Sequence, residues 1–228
     1  MVIFEGEYLN GKRNGKGNEF YENGNLIFEG EFLNGKRNGK GREYDGLKEE
    51  LIYEGEYLNG KRNGKGKEYY SNGKILFEGE YLNGKKWEGK GYDKFDNIVY
   101  ELKGGKGLIK EYYDNGILSF EGEYFNGEKN GKVKEYYLNG ELRFEGEYLY
   151  DYRLKGKKYI NQKLEYEGEY LYNKKWNGKG YDEDGNIIYE LKNGNGKVKE
   201  HPKDELVFEI EYLNGKRNGK GKEYYFEN

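Results

Sequence analysis

The sequence predicts an all-β protein: an elongated, single-layer, twisted antiparallel sheet of about ten stacked β-hairpins. Three observations predict it. First, the string aromatic-Glu-Gly-Glu-aromatic starts at Phe4, Phe28, Tyr53, Phe77, Phe120, Phe144 and Tyr166, with a variant at Phe208 and degenerate Tyr-Glu-Leu-Lys copies at Tyr100 and Tyr189. Recurrence every 19 to 25 residues marks a linear array in which each unit packs on its neighbours, so residues 1–228 read as one repeat array. Second, the chain has no alanine and 38 glycines, which disfavours helix. Third, 18% aromatic content interleaved with Asn-Gly pairs suits strands and tight turns. Hydrophobic content of 34% beside 36% charged is too polar for a deep core.

The units at Phe4, Phe28, Tyr53 and Phe77 open the array, and the third shows the pattern of all. Tyr53, Gly55 and Tyr57 point to one face while Glu54, Glu56 and Leu58 point to the other. Gly64, Gly66, Glu68 and Tyr70 alternate with Lys65, Lys67 and Tyr69, giving the second strand of a hairpin. Asn59-Gly60 and Asn63-Gly64 bracket its loop, and Asn72-Gly73 leads to the next unit. On one face an aromatic ring can lie flat across a neighbouring glycine, where no Cβ stands in the way. On the other, Glu54 and Glu56 face Lys65 and Lys67, pairs worth roughly 0.2–1 kcal/mol each.

The fourth unit ends in Lys85-Lys86-Trp87, and the degenerate unit at Tyr100 follows, with Leu102 in place of glycine and a loop shortened to Lys103-Gly104-Gly105-Lys106. Units at Phe120, Phe144 and Tyr166 restore the pattern. The last of them carries Lys174-Lys175-Trp176 and precedes Tyr189, Leu191 and the short loop Lys192-Asn193-Gly194-Asn195, so a four-unit superrepeat has been duplicated. His201-Pro202 stands where Tyr-Tyr is usual and predicts an irregular edge or bulge, because proline cannot donate to a ladder. The Phe208 unit closes the array at Phe226-Glu227-Asn228. Twenty strands at ~4.8 Å each would extend about 95 Å, twisting steadily.

Composition also narrows the chemistry. There is no cysteine, serine occurs only at Ser71 and Ser119, and His201 is the one imidazole, which removes the parts of a hydrolytic triad and the usual metal ligands. The expectation is a protein without catalytic residues, cofactor or metal. Gly60 to Lys65 is one residue short of a phosphate-binding loop, and the Asp182-Glu183-Asp184-Gly185-Asn186 run lacks the flanking ligands of a calcium loop. No stretch is apolar enough for a membrane span and no basic leader precedes Phe4, so a soluble, cytoplasmic protein is expected.

The unit YEGEYLNGKRNGKGKEYY from Tyr53 resembles the MORN repeat, whose pattern is an aromatic, a glycine two residues on, a glycine-rich hairpin loop and a G-x-G in the second strand. The Tyr-Tyr-x-Asn-Gly segments are similar to the bacterial variant of that repeat found in predicted antitoxins. The resemblance implies stacked hairpins and a non-enzymatic role in scaffolding or protein binding. An antitoxin or immunity protein that blocks a toxin is the alternative within binding proteins.

Departures from the repeat and its charged loops supply the candidate sites. Trp87 with Tyr92, and Trp176 with Tyr181, are candidate anchors for a protein partner. The competing reading has each tryptophan filling the space over its neighbour's shortened loop. Lys12, Arg13, Lys36, Arg37, Lys61, Arg62, Lys216 and Arg217 recur along the hairpin-loop edge and form a candidate basic stripe for an acidic protein or anionic phospholipid. The alternative is a solvated edge neutralised by adjacent glutamates. Nucleic acid is not expected as a partner, because those glutamates would repel phosphates. Neither end carries an evident polar capping unit, which predicts end-to-end self-association or strand addition.

Overall fold

The computed structural model describes residues 2–203 and 206–225. Among the described residues there is no helix, and twenty strands follow one another as hairpins. β1 (Phe4–Leu9) pairs with β2 (Lys12–Phe20), β3 (Leu26–Leu33) with β4 (Lys36–Tyr44), β5 (Leu51–Leu58) with β6 (Lys61–Tyr69), and β7 (Ile75–Leu82) with β8 (Lys85–Tyr92). The first short hairpin is β9 (Ile98–Leu102) and β10 (Gly107–Tyr112). β11 (Leu118–Phe125), β12 (Glu128–Tyr136), β13 (Leu142–Leu149), β14 (Tyr152–Ile160), β15 (Lys163–Leu171) and β16 (Lys174–Tyr181) follow, then the second short hairpin, β17 (Ile187–Leu191) and β18 (Gly196–Lys203). β19 (Leu206–Leu213) and β20 (Lys216–Tyr225) end the series. The chain divides into two compact units, Met1–Leu118 with Tyr124–Glu128, and Ser119–Glu123 with Lys129–Asn228.

Local chemistry sets each hairpin. Asn59 and Gly60 form a two-residue turn with φ of 53° and 86°, the left-handed pair that matches the twist of the flanking strands. Asn63-Gly64, expected as the far bracket of the loop, lies inside β6 instead. The register shifts between Gly55 and Tyr57 at that point, and Gly64 takes φ 92° to make a bulge. A Cβ on Gly64 would sit 2.0 Å from a Glu56 carboxylate oxygen, which accepts the Lys65 amide at 3.0 Å. Successive turns are stitched together: Gly35, Gly60 and Gly84 each donate their amide to the carbonyl of Arg13, Arg37 and Arg62, all at 2.8 Å. Asn38 and Asn63 add their side-chain oxygens to the next turn's Asn59 and Asn83 amides at 3.2 and 3.1 Å.

The aromatic-over-glycine layer is present and does the work of a core. Gly55 and Gly66 are directly opposed, and a Cβ on Gly66 would lie within 2.3 Å of the Tyr53 side chain. Phe28, Tyr53 and Phe77 have no exposed surface. Flanking rings meet them edge-on, as Tyr57 does Phe28 at 5.2 Å and Tyr81 does Tyr53 at 5.2 Å, contacts worth ~0.5–1.5 kcal/mol beyond burial.

A single unbroken ladder is not what forms. Backbone pairing runs through β1–β9, stops, runs through β10–β17, stops, and resumes in β18–β20. Both stops fall inside the degenerate hairpins, where one isolated bridge, Lys103 to Lys106 or Lys192 to Asn195, replaces the ladder. There leucine stands in the glycine column beside a shortened loop: Leu102 packs with Ile109, each 1% exposed, and Leu191 and Val198 are each 2% exposed. An aliphatic cluster thus replaces the ring-on-glycine stack. The irregularity expected at His201-Pro202 appears as a register shift between Glu200 and Lys203. Phe226-Glu227-Asn228, the expected uncapped C-terminal end, lie outside the described residues.

Candidate functional site

Strand pairing fixes where the loop cations point. Arg62 is opposed to Tyr57 on the ring-bearing face, and Lys61 and Lys65 lie on the other. Arg13, Arg37 and Arg62 lie 4.3, 4.1 and 4.0 Å above the Phe4, Phe28 and Tyr53 rings, and Arg217 lies 4.6 Å above Phe208. Each such contact contributes ~0.5–2 kcal/mol. Glutamates bridge the guanidinium groups from hairpin to hairpin: Arg13 to Glu19, Glu19 to Arg37, Arg37 to Glu43, Glu43 to Arg62, Arg62 to Glu68, and Glu68 to Lys86. Burial disfavours the charge on Arg62, yet Glu43 and Glu68 more than compensate and hold its pKa above the ordinary value. Glu68 shows the converse, pushed up by burial but held below its ordinary value by Lys86 and then Arg62.

The basic stripe expected along the loop edge is therefore present in part. Lys12, Lys36, Lys61, Lys216 and Arg217 are exposed. Arg13, Arg37 and Arg62 are instead part of the packed layer, because each is paired with a ring-face residue, Tyr8, Phe32 or Tyr57. Arginines and glutamates thus cover the aromatic-glycine face.

The candidate anchors sit at the two ladder breaks. The Gly105 amide donates to the Trp87 carbonyl at 2.6 Å, and a Cβ on Gly105 would lie 2.8 Å from the indole ring. The Gly194 amide donates to the Trp176 carbonyl at 2.8 Å, with the indole 2.6 Å from the same hypothetical atom. Both indoles are half-buried over the shortened loops, which is the space-filling arrangement. Tyr92 and Tyr181 are half-buried, and the Tyr92 carbonyl accepts the Tyr70 hydroxyl at 2.8 Å. The two tryptophans lie in different compact units.

On the face opposite the rings, the first unit holds an open trough of about 960 Å³ crossing β2 to β7. Its floor is the glycine column, including Gly30, Gly41, Gly55 and Gly66, and its walls are the flanking glutamates and cations. Along one wall Arg42 bridges Glu29 and Glu54 at 3.3 and 3.4 Å, and Lys67 meets Glu78 at 3.1 Å. Along the other, Glu56 accepts the bulge amide of Lys65 at 3.0 Å, and Glu7, on β1 outside the trough, accepts that of Lys16 at 3.1 Å. The ammonium groups of Lys16, Lys40 and Lys65 consequently make no ion pair among the described residues. A second trough of about 570 Å³ crosses β12 to β15 in the other unit. Sequence reasoning placed these charges on the right face but missed the trough. Its signal was the Glu-Gly-Glu string facing Lys-Gly-Lys, a bare column between two charged rows.

The demoted motifs resolve into turns. Gly60 to Lys65 is the hairpin turn and bulge, and the Asp182 carboxylate accepts the amides of Asp184 and Asn186 at 3.0 and 2.8 Å. Among the described residues no group of three or more His, Cys, Asp or Glu side chains could hold a metal ion, and no helix is long and apolar enough to cross a membrane. A comparison with known families finds the MORN repeat at residues 4–26, 28–46, 53–75, 120–141 and 211–226. No curated protein matches the chain.

Proposed function

Because this chain carries MORN repeats, we propose that it is a non-catalytic binding module that holds another protein along the trough of its first unit. The trough carries this reading. It offers a floor without side chains and two rows of charge of which Lys16, Lys40 and Lys65 are uncommitted. Complementary charge selects partners and speeds their encounter more than it adds affinity. The opposite face offers less, since its rings are sealed under arginine. Repetition also favours binding over catalysis, because each glutamate has equivalents in neighbouring hairpins and none is singled out by its surroundings.

Affinity capture with mass spectrometry tests this reading, comparing the wild type with Lys40→Glu plus Lys65→Glu and with Trp87→Ala plus Trp176→Ala. The trough variant should lose the partner while its β-sheet circular dichroism is unchanged. Retention by the trough variant, with loss by a still folded tryptophan variant, would return the tryptophans as anchors. A single small, stoichiometric partner would favour the antitoxin reading over a general scaffold.

A second reading rests on one observation. Leu9, Leu33 and Leu58 are 58, 50 and 49% exposed, and each is opposed to an exposed lysine, Lys12, Lys36 or Lys61. Leucine beside lysine at an edge suits an anionic membrane surface. Flotation with phosphatidylserine vesicles, lost in Lys12→Glu with Lys36→Glu and Lys61→Glu, would support it. Flotation indifferent to those changes would remove it.

A further inference from the structure

The second unit contains two hairpins whose turns break the Asn-Gly rule. Tyr150-Asp151 and Tyr172-Asn173 stand where Asn-Gly stands elsewhere, and both tyrosines take φ 49°. A bulky aromatic residue is strained in that left-handed region, where asparagine is tolerated. Strain kept at an exposed position, when the chain's own repeat supplies an unstrained alternative, points to a function. The rings are presented outward: Tyr150, Tyr152 and Tyr172 are 49, 47 and 69% exposed. Tyr152 and Tyr172 meet edge to face at 5.5 Å, and Leu149, Leu154 and Leu171, 46, 42 and 41% exposed, supply apolar surface beside them.

We propose that this tyrosine patch binds a proline-rich segment of a partner protein, in the polyproline II conformation and flanked by a basic residue. The two turns lie two strands apart, ~9.6 Å at the usual strand spacing, and one polyproline II turn of three residues rises about 9.3 Å. Successive proline rings on one side of such a helix therefore match the spacing of Tyr150 and Tyr172, with the Tyr152 ring packed against the latter. Polyproline II has no internal hydrogen bonds, so its free carbonyls accept the tyrosine hydroxyls, and its fixed φ lowers the ordering cost of binding. Charge selects the flanking residue. Asp151 accepts the Lys129 amide at 2.7 Å through one carboxylate oxygen but makes no ion pair among the described residues, and the tyrosine faces beside it are electron-rich. A second copy of this same surface would oppose carboxylate to carboxylate, which disfavours it as the occupant.

The assignment deepens the protein-binding reading, and the two fail separately, because the trough is untouched by the changes used here. The probes are a peptide of nine prolines ending in arginine, the same peptide ending in glutamate, a Gly-Ser peptide of equal length, and cellohexaose. The arginine peptide should bind the intact protein at least tenfold more tightly than the Gly-Ser peptide, with the glutamate peptide in between. Tyr150→Asn with Tyr172→Asn should weaken the arginine peptide at least tenfold while the melting temperature holds or rises, because asparagine relieves the strained turns. Equal binding of the proline and Gly-Ser peptides would overturn the proposal, as would undiminished binding by the double variant. Cellohexaose binding that the double variant abolishes, without proline-peptide binding, would overturn it in favour of a sugar platform.

Discussion

Arg62 joins two hairpins through three different contacts. Its guanidinium covers the Tyr53 ring, bonds Glu68 in its own hairpin and bonds Glu43 in the one before. Arg62→Gln should cost about 1–3 kcal/mol in urea unfolding, since it uncovers a ring and removes one cation from each of two glutamates. Glu68 gives the layer a defined acid limit. Its carboxyl is lowered in the folded state, so its contribution is complete at pH values above the ordinary 4.5 and is lost as pH falls through the depressed folded value. Glu68→Gln should therefore reduce stability at pH 7 and flatten the loss below about pH 4.5 in acid titrations followed by circular dichroism. One position is poorly chosen: Glu80 and Glu88 are directly opposed in β7 and β8, whereas the duplicated unit has Asn177, which donates to Glu169 at 2.7 Å. Glu88→Asn should raise stability by roughly 0.2–1 kcal/mol, read as a higher melting temperature.

At the scale of the hairpin, the sequence pattern is a list of positions with separate tasks. Alternation with period two gave both strands, and Asn-Gly gave the turn, because those signals are local. The second Asn-Gly misled, since a bulge inside β6 and a turn outside it call for the same residues. What identifies the bulge is Glu56 reaching across to the Lys65 amide, a contact visible only once the strands are paired. Strict alternation extends from Gly64 and Gly66 back to Arg62, but reading Asn59 to Gly64 as loop left Arg13, Arg37 and Arg62 off the strand and on a solvated edge. The ladder breaks were half legible: Leu102 and Leu191 were evident as departures, but the burial of Ile109 and Val198 on the following strand shows only once the strands are placed. Trp87→Ala should lower the melting temperature, because it empties the space over Gly105, and should leave partner capture unchanged. Turn stacking makes a separate forecast. The Gly35, Gly60 and Gly84 amides, each bonded to a preceding arginine carbonyl, should exchange with solvent deuterium more slowly than that of Gly11, which has no such partner among the described residues.

At the scale of the molecule, each compact unit is held by contacts between strands adjacent in sequence, so stability accumulates hairpin by hairpin and not by enclosing a deep interior. The central claim is that rings lying on bare glycine backbone, covered by arginine, replace a second layer of structure. Urea unfolding of Gly66→Ala beside Lys65→Ala tests this most directly, because the two positions are adjacent in β6 but face opposite sides of the sheet. A methyl group on Gly66 would enter the space of the Tyr53 ring, and the account predicts a loss of about 1–3 kcal/mol, against a change within ~0.5 kcal/mol for Lys65→Ala. Equal, small effects at both positions would contradict it, because the rings would then not depend on the glycine column beneath them.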